Sequence, residues 1–179
     1  MKLMKIIIYG SQYGTTKQYA KELSKKTNIK AYSYENIKNI DKYETIIYIG
    51  ALYAGGVLGM AKTFKKISNY KSKKIIIATV GLADPMDIEN INNIENSMKR
   101  QLSSKIYERA YIYHLRGGID YSKLNFVHKI MMGLVYKKAK SLPEHKKTAE
   151  VKAMINTYNQ KVNFVNYYSL ENIIREIQS

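Results

Sequence analysis

The residues best placed to do chemistry lie in one stretch, Gly10-Ser11-Gln12-Tyr13-Gly14-Thr15-Thr16. It joins a short apolar run to a segment of good helix formers, the junction at which an open parallel sheet binds its ligands. A helix N-terminus placed there presents unpaired backbone amides and the positive end of the helix dipole, which together favour a phosphate. Ser11, Thr15 and Thr16 add hydroxyl donors, and Gly14 permits a tight backbone path. The stretch contains neither G-x-x-x-x-G-K-[ST] nor G-x-G-x-x-G. A hydroxyl-rich loop without lysine suits one terminal phosphate rather than a triphosphate with magnesium. The competing reading is a plain strand-turn-helix capped by Ser or Thr.

Other chemistries find little support. The chain has no cysteine, which excludes disulfides, thiolate metal ligands and thiol nucleophiles. His114, His128 and His145 show no metal-ligand spacing. The pairs Asp84/Asp87 and Glu89/Glu95 read as turn, helix-start or surface residues, and no Ser-His-Asp order is recognisable.

The elements that must position the loop are legible as apolar runs. Lys5 to Tyr9, Thr45 to Ile49 and Lys74 to Thr79 are short, continuous and rich in isoleucine, the pattern of strands buried on both faces. Ile29 to Tyr34 and Ala110 to His114 are weaker strand candidates. Helical spacing is expected over Thr15 to Lys26, Leu58 to Ile67, Ile88 to Leu102, Lys123 to Ala139 and Leu170 to Ile177. The alternation predicts an α/β doubly wound, five-stranded parallel sheet of order 2-1-3-4-5 with helices on both faces. No linker, repeat or boundary interrupts it, so residues 1–179 are expected to form a single domain. The segment after Lys140 is the least readable. Two stretches at predicted carboxyl ends of strands share the edge of the first loop: Gly50-Ala51-Leu52-Tyr53-Ala54-Gly55-Gly56 and Val80-Gly81-Leu82-Ala83-Asp84-Pro85.

Thirty Lys and Arg stand against fourteen Asp and Glu, a formal charge of +16. Such a charge attracts nucleic acid, anionic lipid or acidic partners. The lysines are spread along the chain, which favours a solvated surface. No aromatic-basic binding motif supports nucleic acid. The apolar N-terminal stretch is too short to span a membrane and lacks a small-residue cleavage site, so a cytoplasmic protein is expected. The helix Lys123 to Ala139 carries an apolar stripe including Met131, Met132, Leu134 and Val135. Packing of that stripe on the sheet is the favoured reading. The other lays the helix on an anionic membrane surface.

Ser11-Gln12-Tyr13-Gly14-Thr15-Thr16 resembles the [ST]-x-[ST/Y]-G-x-T phosphate loop of the flavodoxin superfamily. That resemblance implies a flavodoxin-like fold and FMN as cofactor. It also implies that the two other loops flank the isoalloxazine ring, through Ala51, Leu52, Tyr53, Ala54 and Gly55 on one side. Thr79, Val80, Gly81, Leu82 and Asp84 would form the other, and Tyr53 could stack on the ring. The segment Leu115-Arg116-Gly117-Gly118-Ile119-Asp120-Tyr121, the basic Met-rich helix after it and Val162 to Tyr167 are similar to the subfamily that includes menaquinone-dependent protoporphyrinogen oxidase. Arg116 would then lie near the flavin, stabilising its anionic reduced form or steering an acidic substrate. The subfamily implies an FMN oxidoreductase that passes electrons to a quinone or a redox partner protein. A small electron carrier is the alternative, against which the positive charge speaks, since such carriers are usually acidic. Catalytic residues, substrate and oligomeric state are not readable.

Overall fold

The computed structural model describes residues 4–179. Met1 to Leu3, the start of the stretch read above as carrying no leader, lie outside the described residues. Five strands pair in parallel in the order β2-β1-β3-β5-β6: β1 (Lys5–Gly10), β2 (Ala31–Ser33), β3 (Thr45–Tyr53), β5 (Lys74–Gly81) and β6 (Ala110–Arg116). This is the expected 2-1-3-4-5 winding of a flavodoxin-like fold. A two-residue strand, β4 (Gly56–Val57), turns back antiparallel on the end of β3.

The isoleucine runs explain the layers. Successive side chains of a strand point to opposite faces, and here both faces are covered. Ile6, Ile8, Ile46, Tyr48, Ile75 and Ile77 face one way. They meet Met60 and Phe64 of α2 (Met60–Phe64) and Ile94 and Met98 of α3 (Ile88–Gln101), with Ile106 of the short α4 (Ser104–Tyr107) at the rim. Ile7, Ile47, Ile49, Ile76, Ala78 and Val80 face the other way. They meet Tyr19, Ala20 and Leu23 of α1 (Thr15–Thr27) and Ile173 and Ile177 of α7 (Glu171–Gln178), the last helix in the chain. Burying such side chains contributes roughly 1.5–3 kcal/mol each.

A third, smaller cluster crosses the carboxyl edge of the sheet. Ile119, Tyr121 and Met132 are its buried members, with Tyr13, Leu82, Met154, Tyr158 and Val162 packed against them. It is built from the antiparallel pair β7 (Gly118–Asp120) and β8 (Lys161–Asn163). Two helices complete it, α5 (Phe126–Ser141) and α6 (Ala149–Asn156). Tyr136 stacks on Tyr158 with centroids 4.0 Å apart, and Tyr121 meets Tyr158 edge-on.

Four expectations need correction. The helix read over Leu58 to Ile67 is confined to Met60–Phe64, because Gly59 sits in the left-handed region with φ 76° and starts it late. The helix read from Lys123 begins at Phe126, where the Asn125 side chain accepts from the His128 amide at 2.8 Å. Its apolar stripe does not pack on the sheet: only Met132 and Ala139 are buried, and Phe126, Val127, Ile130 and Leu134 face solvent. The strand expected to stop at Ile49 continues to Tyr53, since Gly50 and Ala51 stay in register with Thr79 and Val80. Among the described residues no helix is long and apolar enough to cross a membrane.

Candidate functional site

The carboxyl ends of β1, β3 and β5 open into one cavity of about 610 Å³, within the range of small-molecule and cofactor sites. Its floor is the first turn of α1. Gly14 is the N-cap residue with φ 97°, its side-chain position faces open space, and no acidic residue stands in the first turn. Ser11 Oγ accepts from the Lys17 amide at 3.3 Å. Among the described residues nothing accepts from the amides of Thr15 and Thr16. Both threonines line the cavity, so two free donors, two hydroxyls and the positive helix end face one spot.

The second wall is a β-hairpin. Ala54 and Gly55 both have positive φ, 49° and 78°, the signature of a two-residue type I′ turn matched to strand twist. Helix α3 fixes the hairpin from outside: Ser97 Oγ donates to the Gly55 carbonyl at 2.7 Å, and Gln101 Oε1 accepts from the Val57 amide at 2.8 Å. Ala51, Leu52, Tyr53, Ala54 and Gly55 all line the cavity.

The third wall is the end of β5, with Val80, Gly81 and Leu82 at the surface of the cavity. Its amides are already engaged. The Glu150 carboxylate, from the first turn of α6, accepts from Leu82 at 2.9 and 3.1 Å and from Ala83 at 2.9 Å. Thr148 caps the same helix by accepting from the Val151 amide at 3.3 Å. A Cβ on Gly81 would stand 2.9 Å from Glu150 Oε2 and 2.7 Å from Leu52 Cδ1, so a side chain here would push both away.

Two tyrosines and two methionines close the roof. Tyr13 Oη donates to Met132 Sδ at 3.3 Å, and Tyr53 Oη to Met131 Sδ at 3.8 Å. Burial, and then the neighbouring Tyr53, push the Tyr13 hydroxyl above its ordinary pKa, so it remains a neutral donor. His128 meets Tyr13 edge-on and lies 3.3 Å from Gln12 Nε2, which seats the start of α5 on the first loop. Met154, Val151 and Val135 add apolar surface, and Asn93, Asn96 and Arg100 of α3 add a polar side.

The remaining sequence-read residues take other places. Ser11, Gln12 and Gly14 shape the first loop without lining the cavity. Thr79 is buried in the sheet, its hydroxyl 2.8 Å from His114 Nδ1. Asp84 forms a turn, its carboxylate accepting from the Met86 amide and its carbonyl from Asn90 Nδ2, both at 2.9 Å. Arg116 stacks on Phe164 with its guanidinium carbon 3.8 Å from the ring centre, and its Nε donates to the Leu82 carbonyl at 3.0 Å. It thus braces the third wall from outside the cavity. Of the two glycines after it, Gly117 is crowded by side chains and Gly118 by backbone, which admits no larger residue. A Cβ on Gly117 would meet Thr15 Oγ1 at 2.8 Å, and one on Gly118 would meet the Val162 carbonyl at 2.3 Å.

Sequence reasoning missed α6 with Glu150, Val151 and Met154, and the polar side of α3. A signal for α6 is present: Thr148 as a cap, followed by Val151, Met154 and Ile155 at helical spacing.

A family model described as a flavodoxin domain matches residues 6–146. No curated protein matches the chain. Solved structures resemble it distantly. A flavoprotein from Bacteroides uniformis shares 13% identity over 65% of this chain and 90% of its own, with a TM-score of 0.45. A flavodoxin variant from Fusobacterium nucleatum, bound to flavin mononucleotide, shares 18% identity over 70% of this chain and 76% of its own, with a TM-score of 0.43. A flavodoxin variant from Pseudomonas aeruginosa shares 18% over 78% of this chain and 99% of its own, with a TM-score of 0.39.

Proposed function

The chain belongs to the flavodoxin domain family, and from that premise we propose that the cavity holds FMN and that the protein is an FMN-dependent oxidoreductase of the protoporphyrinogen-oxidase type. One observation carries the reading: the cavity runs without interruption from the two unpaired amides of α1 to an apolar, methionine-lined roof. The residues present fit the cofactor. Thr15 and Thr16 offer donors to a phosphate, the hairpin residues Leu52 to Gly55 let backbone approach a flat ring, and the first turn of α1 carries no acidic residue. When bound, FMN supplies one- and two-electron chemistry at its ring. The chain's own part is to bind, orient and exclude water: Met131, Met132, Val135 and Met154 dry the site, and Glu150 with Arg116 hold the third wall.

The roof favours an oxidoreductase over a bare electron carrier. A carrier needs an accessible ring edge for its partner, whereas α5 and α6 here enclose apolar volume suited to an organic substrate or a quinone. A cytoplasmic location is part of the same reading, as is delivery of electrons to a quinone or a redox partner protein. Titration with FMN tests the first half: binding should quench flavin fluorescence and yield a yellow protein. A colourless preparation indifferent to FMN would end the proposal. Oxidation of protoporphyrinogen with a quinone acceptor tests the second half. Rapid reduction by a flavodoxin reductase, without turnover of any small substrate, would assign the protein to the carriers instead.

A further inference from the structure

The exposed face of α5 has no partner among the described residues. Phe126, Val127, Ile130 and Leu134 are 77%, 70%, 50% and 64% exposed. Ile130 and Leu134 follow Phe126 in steps of four and Val127 lies beside them, so the four share one stripe along the helix. Single exposed apolar residues need no explanation, but four on one helix face do. Lys129, Lys137, Lys138 and Lys140 of the same helix are exposed, as is Lys123 just before it. None of these lysines makes an ion pair among the described residues, and the helix contains no carboxylate.

We propose that α5 is a membrane-docking helix that lays this stripe into the surface of an anionic phospholipid bilayer. The apolar side chains would enter at the headgroup boundary, and the lysines would meet anionic headgroups. Charge complementarity selects the occupant. An uncompensated cluster of lysines around a convex apolar helix matches an anionic surface that presents both charge and hydrocarbon. The chain's charge of +16 favours the same approach. Met131 and Val135 of this helix line the cavity, so docking would bring the roof of the site to the lipid surface. The proposal does not depend on which cofactor the cavity holds.

Flotation of the intact protein tests it, with vesicles of phosphatidylcholine alone or mixed with phosphatidylglycerol. The protein should float with the mixed vesicles and bind neutral ones at least about tenfold more weakly. The triple variant Phe126→Ser, Ile130→Ser, Leu134→Ser should lose about tenfold or more in binding to mixed vesicles, with wild-type melting behaviour. If that variant binds as the wild type does, net charge alone attracts the protein and the docking stripe is overturned. Failure of the wild type to float with either vesicle also overturns it. So does a dimer, by light scattering, that the triple variant dissolves, since a second copy then covers the stripe. A single variant gives an independent readout, because the chain has no tryptophan. Emission from Phe126→Trp should shift to the blue when mixed vesicles are added, and an unchanged spectrum would reject the insertion.

Discussion

At the scale of single residues, the site depends on groups that are small or already committed. Thr15 and Thr16 carry the hydroxyl donors at the head of α1, and the double variant Thr15→Ala, Thr16→Ala should weaken FMN binding by roughly 1.5–3 kcal/mol per lost hydrogen bond to a charged group. A fluorescence titration measures it, and unchanged affinity would show that the two hydroxyls do not touch the phosphate, leaving only the backbone amides to hold it. Gly117→Ala should also damage the site, for a steric reason. Its methyl would press on Thr15 Oγ1 and Val80, with an overpacking cost of about 1–3 kcal/mol visible as lost FMN affinity and a lower melting temperature. Gly55→Ala makes a useful contrast. Nothing lies within 4 Å of the added methyl, but the backbone has φ 78°. The cost should therefore be backbone strain alone, about 1–2 kcal/mol. Glu150 binds the amides of Leu82 and Ala83, so Glu150→Ala should unseat α6 and cost about 1.5–3 kcal/mol by urea unfolding.

At the scale of elements, what was legible follows from how each element earns its stability. The isoleucine runs of β1, β3 and β5 are buried on both faces, and such strands write themselves as continuous apolar segments. Helix α1 carries Tyr19, Ala20 and Leu23 on one side, and its spacing announces it. The short pair β7 and β8 does not announce itself. Its partners, Ile119 and Val162, are far apart in sequence, and three residues give no period. Helix α5 is the instructive error. Its apolar stripe has the spacing of a core helix, but spacing reports amphipathicity and not which apolar surface receives the stripe. The phosphate loop was readable because its chemistry is local. The role of Arg116 was not, because its partners Leu82 and Phe164 come from two other segments.

At the scale of the whole molecule, one shifted titration bears on stability below neutral pH. His114 is half-buried beside Thr79, and burial, only partly offset by the charge of Glu95, holds its pKa below the ordinary 6.5. The folded state therefore resists protonation that the unfolded state accepts below pH 6.5. The stability this site contributes is full above that pH and falls as pH drops toward the folded pKa. Urea midpoints should decline between about pH 6.5 and 5, before carboxylates titrate, and His114→Gln should flatten that decline. A different consequence follows from the last helix. Leu170, Ile173 and Ile177 seal one face of the sheet, and the carbonyls of Ile177 and Glu176 receive the ammonium groups of Lys5 and Lys74 at the starts of β1 and β5. The ribosome delivers these residues only after every strand has been made. Until residue 177 has emerged, the nascent sheet keeps part of the face it shares with α1 uncovered, an apolar surface prone to aggregation for that interval.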